Sequence, residues 1–391
     1  MRIVVVGGGS GGHVTPTIAV VNEIWKIKPR ADIEFWTDRK YYKNVVKITI
    51  PMGMRIKTRK TISGKLRRYV KRGWRFYVVE HPDIIPRNII GVCAAGVGFF
   101  QSFGRLIVRR PDAIFIKGGY VGLPVGVAAW ILRVPYVIHD SDTTPGLANR
   151  ILARWAKKIG TGMPLEYYNY PEAKARWVGT PVGEEFAVVG KTREKTLKKM
   201  FGYDTERPLV MITGGSLGAR HINEAVREIL PELTKMANVG LVAGRARYEE
   251  MADLKKYETW EDGKFKGNFR MWEFNSAMWE FLGAADVVVS RAGATTIAEL
   301  AALKKAVILV PNAMLPGSHQ VKNAEMLADA GAAVVVKDED IVEQPGVLLK
   351  AVERLVRRKA EREKLAEKMH ELAKSEAARE LAEMVVECGG K

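Results

Sequence analysis

Two glycine-rich turns, about 200 residues apart, each follow a strand-like apolar run and open an amphipathic helix. The first is Gly7-Gly8-Gly9-Ser10-Gly11-Gly12-His13, after Ile3-Val4-Val5-Val6. The second is Gly214-Gly215-Ser216-Leu217-Gly218-Ala219-Arg220, after Leu209-Val210-Met211-Ile212. A turn of this kind leaves backbone N–H groups at a helix N-terminus, where the helix dipole favours an anion. Two such units opening two similar halves predict an α/β chain of two Rossmann-like, doubly wound domains facing a central cleft. A length of 391 residues also exceeds one ordinary core.

Strand-like runs and helical spacings alternate through both halves. In the first, strands are expected at 3–7, 33–37, 113–117, 136–139 and 158–161, with helices at 15–28, 89–109, 124–132 and 145–156. In the second, strands are expected at 209–213, 239–243, 269–274, 287–290, 307–311 and 333–336. The turn-rich stretch 165–181 reads as a linker between a domain at 1–164 and one at 182–375. The helix at about 376–391 is expected to pack back on the first domain.

Charge divides the chain in the same way. Residues 1–160 hold 28 Lys and Arg against 9 Asp and Glu, whereas the rest holds 34 against 35. An anionic partner is therefore expected for the first half alone. The densest basic run includes Arg67, Arg68, Lys71 and Arg72, and is followed by Trp74, Phe76, Ile89, Ile90, Phe99 and Phe100. Basic residues beside exposed apolar ones suit an anionic bilayer surface. No nucleic-acid-binding motif accompanies them, so no nucleic-acid partner is expected. A solvated charged face beside ordinary core residues is the alternative. The uncharged stretch between Arg87 and Arg105 is short for a membrane span and reads as a buried or interfacial helix, with a monotopic anchor left open.

Cys93 and Cys388 stand far apart, and no pair among the six histidines has zinc-ligand spacing, so neither a disulfide framework nor a structural metal is expected. With no leader-like N-terminus, a reducing cytoplasmic setting is expected.

Three constellations could carry chemistry. Gly7-x-Gly9-x-x-Gly12 satisfies a dinucleotide fingerprint, and Asp38 falls where a ribose-binding acid would stand, which keeps an NAD(P)-dependent oxidoreductase open. His13 ends that loop, where an imidazole could act as a general base or merely cap its helix. Next, Arg291-Ala292-Gly293-Ala294-Thr295-Thr296 opens a helix after a buried strand, offering N–H groups and hydroxyls to a phosphate. Glu299, one turn beyond Thr295 on the same face, could accept hydrogen bonds from both ribose hydroxyls. A capped helix with a solvated Glu299 is the alternative. Finally, His319, Gln320 and Asn323 open a helix after the next strand, where their polar groups could meet sugar hydroxyls.

Taken in order, these blocks resemble the MurG family of undecaprenyl-diphospho-muramoylpentapeptide N-acetylglucosaminyltransferases. The resemblance runs from Met1 to about Val336 and includes Gly7–Pro16, Lys117-Gly118-Gly119-Tyr120, His139-Asp140-Ser141-Asp142, Gly146-Leu147-Ala148-Asn149, Gly214–Arg220, Arg291–Glu299, Gln320 and Asn323. It implies a GT-B fold and transfer of N-acetylglucosamine from UDP-N-acetylglucosamine to the polyprenyl-diphosphate-linked acceptor lipid I, giving lipid II for peptidoglycan synthesis. It also implies a single inverting displacement with no obligatory cofactor, at the cytoplasmic face of the cell membrane.

Carried onto this chain, the resemblance implies His13 as base. It implies Ser10, Gly11, Gly12, Gly215, Ser216, Gly218, Phe274, Asn275, Arg291, Gly293, Ala294, Thr295, Thr296, Glu299 and Gln320 as donor-binding residues. Asp142, Tyr120, His319 and Asn323 are implied as donor or acceptor contacts. The chain departs from the family pattern at Gly183, Asp142 and His319, where Arg, Asn and Gln are usual. A diacylglycerol glycosyltransferase or a sugar-nucleotide epimerase on the same fold, and a membrane scaffold without activity, are the remaining alternatives.

Overall fold

A computed structural model describes residues 1–50, 56–66, 83–190, 192, 194–215, 218–314 and 318–390. The expected patch residues Arg67, Arg68, Lys71, Arg72, Trp74 and Phe76, and Ser216 of the second glycine loop, lie outside the described residues. The chain forms two compact units. One comprises Met1–Gly183, Met314–His319 and Lys374–Lys391, the other Glu184–Ala313 and Gln320–Ala373.

The first unit runs β1 (Arg2–Val6), α1 (Gly11–Ile27), β2 (Asp32–Thr37), α2 (Tyr42–Thr49), β3 (Lys57–Lys60), α3 (Ile84–Val108), β4 (Ala113–Ile116), α4 (Gly122–Ile131), β5 (Tyr136–Asp140), α5 (Leu147–Leu152), β6 (Lys158–Thr161) and β7 (Ala175–Trp177). Its sheet is parallel, in the order β3-β2-β1-β4-β5-β6-β7. Helices cover both faces, so the central strands are continuous apolar runs such as Ile3–Val6 and Ala113–Ile116, all fully buried. The strand order reverses at β1 and β4, whose last residues pair as Val6 with Ile116. The first glycine loop thus lies beside Lys117–Gly119.

The two edge strands were not legible in advance. β3 reads Lys-Thr-Arg-Lys, without one apolar side chain, as suits an exposed edge that resists further pairing. β7 is only three residues long and falls inside the stretch 165–181 read as a linker, where it extends the first sheet. α3 starts at Ile84, ahead of the expected 89, and spans 25 residues.

The second unit continues with α6 (Glu184–Val189), α7 (Glu194–Met200), β8 (Leu209–Thr213), α8 (Arg220–Met236), β9 (Asn238–Val242), the hairpin β10 (Trp260–Glu261) and β11 (Lys264–Phe265), β12 (Phe269–Trp272), α9 (Met278–Gly283), β13 (Val287–Ser290), α10 (Ala294–Ala302), β14 (Ala306–Leu309), α11 (His319–Asp329), β15 (Val334–Val335), α12 (Asp338–Glu343), α13 (Gly346–Arg357) and α14 (Lys359–Glu371). Its parallel sheet has the order β12-β9-β8-β13-β14-β15. Reversal here falls at β8 and β13, whose ends pair as Thr213 with Ser290. Ligands of such sheets sit outside the carboxyl ends of the strands at that reversal.

α15 (Ala377–Gly389) belongs to the first unit. Leu381, Met384, Val385 and Cys388 join a core with Ile3, Val5, Ile24 and Phe35. Leu381 is fully buried, so Leu381→Ala is expected to cost the first unit about 2–5 kcal/mol. Hydrogen exchange of β1 and β4 across a urea series checks this. An unshifted midpoint in those strands would show that α15 contributes nothing to that core.

Candidate active site

The pairing of Thr213 with Ser290 sets the starts of α8 and α10 next to each other. Gly215 and Gly218 take φ of +82° and +77°, the left-handed region open to glycine. A side chain at Gly218 would collide with the Ala243 carbonyl. α8 begins after Ala219, and α10 after Gly293, whose φ and ψ of −79° and 134° are extended. Neither helix has a side-chain cap bond among the described residues. First-turn N–H groups of both helices are therefore suited to an anion such as a diphosphate. Thr295 and Thr296 sit in the first turn of α10, and Glu299 stands one turn on.

Other expected donor residues fall into two groups. Phe274 is exposed, with the Arg245 guanidinium 4.3 Å above its ring. Asn275 Oδ1 accepts from the Ala277 N–H at 2.8 Å and fixes the turn into α9. Gln320 Oε1 accepts from the Asn312 N–H at 2.9 Å. Two residues turn out to be committed to the protein itself. Arg291 Nη1 donates to Asp338 Oδ1 at 2.5 Å and to the Val310 carbonyl at 3.0 Å. Asn323 is fully buried and donates to the Ala292 carbonyl at 3.0 Å. These two hold the loop before α10 rather than reach outward.

The first unit gathers Ser10, Gly11, Gly12, His13, Tyr120 and Asp142 around the ends of β1, β4 and β5. His319, with Met314, groups with this unit as well. Asp38 has a different task from the one its position suggested. Its Oδ2 accepts from the Gly9 N–H (2.8 Å) and the Tyr120 hydroxyl (2.6 Å), and its Oδ1 from the Tyr41 N–H (2.7 Å). A carboxylate so occupied props up the first loop and is not open to a ribose, which removes the main support for an NAD(P) site. Tyr120 is by the same bond a loop support. Gly9, at φ +81°, could not carry a side chain there, since Cβ would stand 2.7 Å from the Tyr120 ring.

Behind His13 lies a set of buried ionisable groups. Lys117 is 1% exposed and its ammonium donates to Ser141 Oγ. Burial pulls its pKa down to about 8, against the pull of Asp140 and Asp142. Burial also raises Asp140 to about 6, while bonds from the Tyr170 hydroxyl (2.5 Å) and the Gly146 N–H (3.2 Å) support its charge. His139 Nε2 donates to the Gly179 carbonyl at 2.8 Å. His13 itself is lowered to about 4, first by desolvation and then by the Lys117 charge, with Asp142 opposing. Its Nδ1 is shut off from solvent and has no partner among the described residues. The imidazole is therefore neutral at pH 7, and in the unliganded protein its burial and the Lys117 charge both oppose its protonation.

Of the expected membrane patch, Ile89, Ile90 and Phe100 are 59%, 66% and 73% exposed along α3. Phe99 instead turns inward, 5.6 Å from the Phe103 ring and against the core under α4. α3 is long and apolar enough to cross a membrane by length and composition, and about a fifth of it is buried.

Sequence reasoning passed over Lys117, Asp338 and His221. Lys117 stood at the end of an expected strand and within a quoted block but was given no role. Asp338 has no local motif, and only the fold brings it to Arg291.

Residues 3–161 match the model of the glycosyltransferase family 28 N-terminal domain, and residues 209–385 that of the family 28 C-terminal domain. A Bacillus cereus protein named UDP-N-acetylglucosamine–N-acetylmuramyl-(pentapeptide) pyrophosphoryl-undecaprenol N-acetylglucosamine transferase 2 is 34% identical over 359 residues, 90% of this chain and 91% of that one. A Clostridium perfringens protein named as the corresponding transferase is also 34% identical, over 358 residues and 90% of each chain. Among solved structures, Acinetobacter baumannii MurG superposes with a TM-score of 0.70 at 23% identity over 99% of both chains. A UDP-GlcNAc 2-epimerase from Neisseria meningitidis shares the fold at 13% identity, with a TM-score of 0.65 and 99% and 100% coverage.

Glu299 gives the second unit a pH signature. Desolvation pushes its carboxyl from an ordinary 4.5 up to about 8. A group raised on folding contributes its stability below the unfolded pKa and loses it as pH rises through the folded one. Unliganded protein is therefore expected to lose on the order of a few kcal/mol from this residue between about pH 4.5 and 8. Glu299→Gln flattens that decline. Urea unfolding of both proteins at a series of pH values checks it, and parallel pH profiles would contradict it.

Proposed function

Because the chain belongs to the MurG family of UDP-sugar-dependent GT-B glycosyltransferases, within glycosyltransferase family 28, we propose that it transfers N-acetylglucosamine from UDP-N-acetylglucosamine to the muramoyl 4-hydroxyl of lipid I, forming lipid II. The observation that carries this reading is the pair of first turns at α8 and α10, set side by side without side-chain caps, with Glu299 one turn further on. That arrangement suits a nucleoside diphosphate: main-chain N–H groups for the diphosphate, and for the ribose diol the Glu299 carboxyl, which is mostly protonated at pH 7 in the unliganded protein and ionises as the ribose hydroxyls donate to it.

The chemistry follows as one displacement. The acceptor oxygen bonds to the anomeric carbon while the bond from that carbon to the diphosphate oxygen breaks, and UDP departs with the electron pair. Inversion gives a β linkage. N–H groups and helix dipoles at Ala219–Arg220 and Ala294–Thr296 stabilise the charge that develops on UDP; donors of this sort contribute roughly 3 kcal/mol each in comparable sites. His13 takes the acceptor proton. Its lowered pKa keeps it neutral, and the negative charge of the substrates raises its affinity for a proton as the reaction proceeds. Backbone near Phe274 and Asn275 reads the uracil, and Gln320 the sugar. The domains take these roles as 1–164 for acceptor and membrane and 182–375 for the donor.

Turnover of UDP-N-acetylglucosamine with a short-chain lipid I analogue, followed by product mass, tests the reading. The expected result is addition of one N-acetylhexosamine; no product would refute it. His13→Ala is expected to lose about 100-fold or more in kcat with UDP affinity retained. Near-normal turnover in that variant would remove the base assignment.

The first unit is proposed to rest on the cytoplasmic membrane face through the apolar side of α3 and the basic residues of the first half. Ile90→Asp combined with Phe100→Asp is expected to weaken partition onto vesicles of phosphatidylglycerol and phosphatidylethanolamine about tenfold or more. Unchanged sedimentation with the vesicles would exclude α3 as the contact.

A further inference from the structure

One carboxylate joins the two helix starts of the second unit. Asp338 is the first residue of α12, and its side chain is 12% exposed. Oδ1 accepts from Arg291 Nη1 at 2.5 Å, and Oδ2 accepts from His221 Nδ1 at 2.7 Å. Arg291 is 13% exposed and sits just before the Gly293 cap of α10. His221 is the second residue of α8. The Val310 carbonyl, at the end of β14, holds the same Arg291 nitrogen from another side. Three segments far apart in sequence thus meet on one side chain.

We propose that Asp338 is a positioning residue for the diphosphate of the nucleotide donor, acting through Arg291 and His221; this rests on the donor reading above. Main-chain N–H groups bind a diphosphate well only when their spacing is fixed to within about 0.5 Å. Gly215 and Gly218, at positive φ ahead of α8, bring no side chain that could fix the start of that helix. The Asp338 bridge does so, by tying the first turn of α8 to the loop that starts α10. The pair with Arg291 is largely buried, so removing the carboxylate leaves a guanidinium unpaired and frees both helix starts to shift. Uridine, which carries no phosphate, does not sense that spacing.

The test compares UDP with uridine. Binding of each to the full chain is measured by calorimetry for the wild type, Asp338→Asn and His221→Ala, together with KM and kcat for the UDP-sugar. Asp338→Asn is expected to weaken UDP binding about tenfold, leave uridine binding unchanged, and raise KM with little loss of kcat. His221→Ala cuts one arm at a half-exposed residue and is expected to give a smaller change of the same pattern, which covers the case in which Asp338→Asn does not fold. Equal weakening of UDP and uridine would overturn the proposal by showing general damage. Unchanged or tighter UDP binding would overturn it too, the latter by showing Arg291 to be a phosphate ligand that Asp338 restrains. A wild type that binds UDP no better than uridine would bring down the donor reading and this proposal with it, an outcome distinct from both.

Discussion

Every α-helix leaves four N–H groups without partners at its start, and a parallel sheet decides where those groups collect. In this protein the reversal of strand order does so twice. At β8 and β13, pairing of Thr213 with Ser290 puts two helix starts side by side. At β1 and β4, pairing of Val6 with Ile116 puts the first glycine loop beside Lys117. The starts of α1, α8 and α10 have no side-chain cap bond, a trait they share with other described helices such as α3, α13 and α15; what sets these three apart is their place at a reversal of strand order.

The two sites differ in what stands behind them. Behind α8 and α10 the support is a network with most of its hydrogen-bonding capacity used inside the protein: Arg291 on Asp338, Asn323 on Ala292, Gln320 on Asn312. Behind α1 lies a set of ionisable groups crowded out of water, where the Lys117 charge bears on His13, His139 and Asp140, and Asp140 and Asp142 bear on Lys117 in turn. The first arrangement suits the holding of a leaving group that gains negative charge, because donors fixed in place need no reorganisation as that charge develops. The second suits proton transfer, which needs a group whose affinity for a proton responds to charge brought nearby.

Much of this could be read from the residues in order. Strands flanked by glycine turns and helical spacing located the central strands, because burial on both faces demands unbroken apolar runs such as Val287–Val289. The same logic could not see β3, which is all polar, or β7, which is three residues long. Gly218, which acts through the backbone, was legible because only glycine serves there: its φ is +77° and a side chain would meet the Ala243 carbonyl. Residues that act through distant partners were not. Asp38 looked like a ribose acid because it followed β2 at the expected distance, and only the bonds from Gly9, Tyr41 and Tyr120 reveal it as a loop support. The resemblance put Arg291 among the donor-binding residues, and nothing local announces its partner Asp338. Phe99 and Phe100 are neighbours in sequence, yet Phe99 packs against the core while Phe100 is exposed, a distinction that composition cannot make.

The central claim is that main-chain N–H groups of the second unit, not the first glycine loop, hold the nucleotide's diphosphate. A crystal structure of the protein with UDP measures this most directly. The account predicts phosphate oxygens within hydrogen-bond distance of N–H groups at the starts of α8 and α10, and the ribose against Glu299. Diphosphate density against residues 7–13, with nothing beside Glu299, would contradict it.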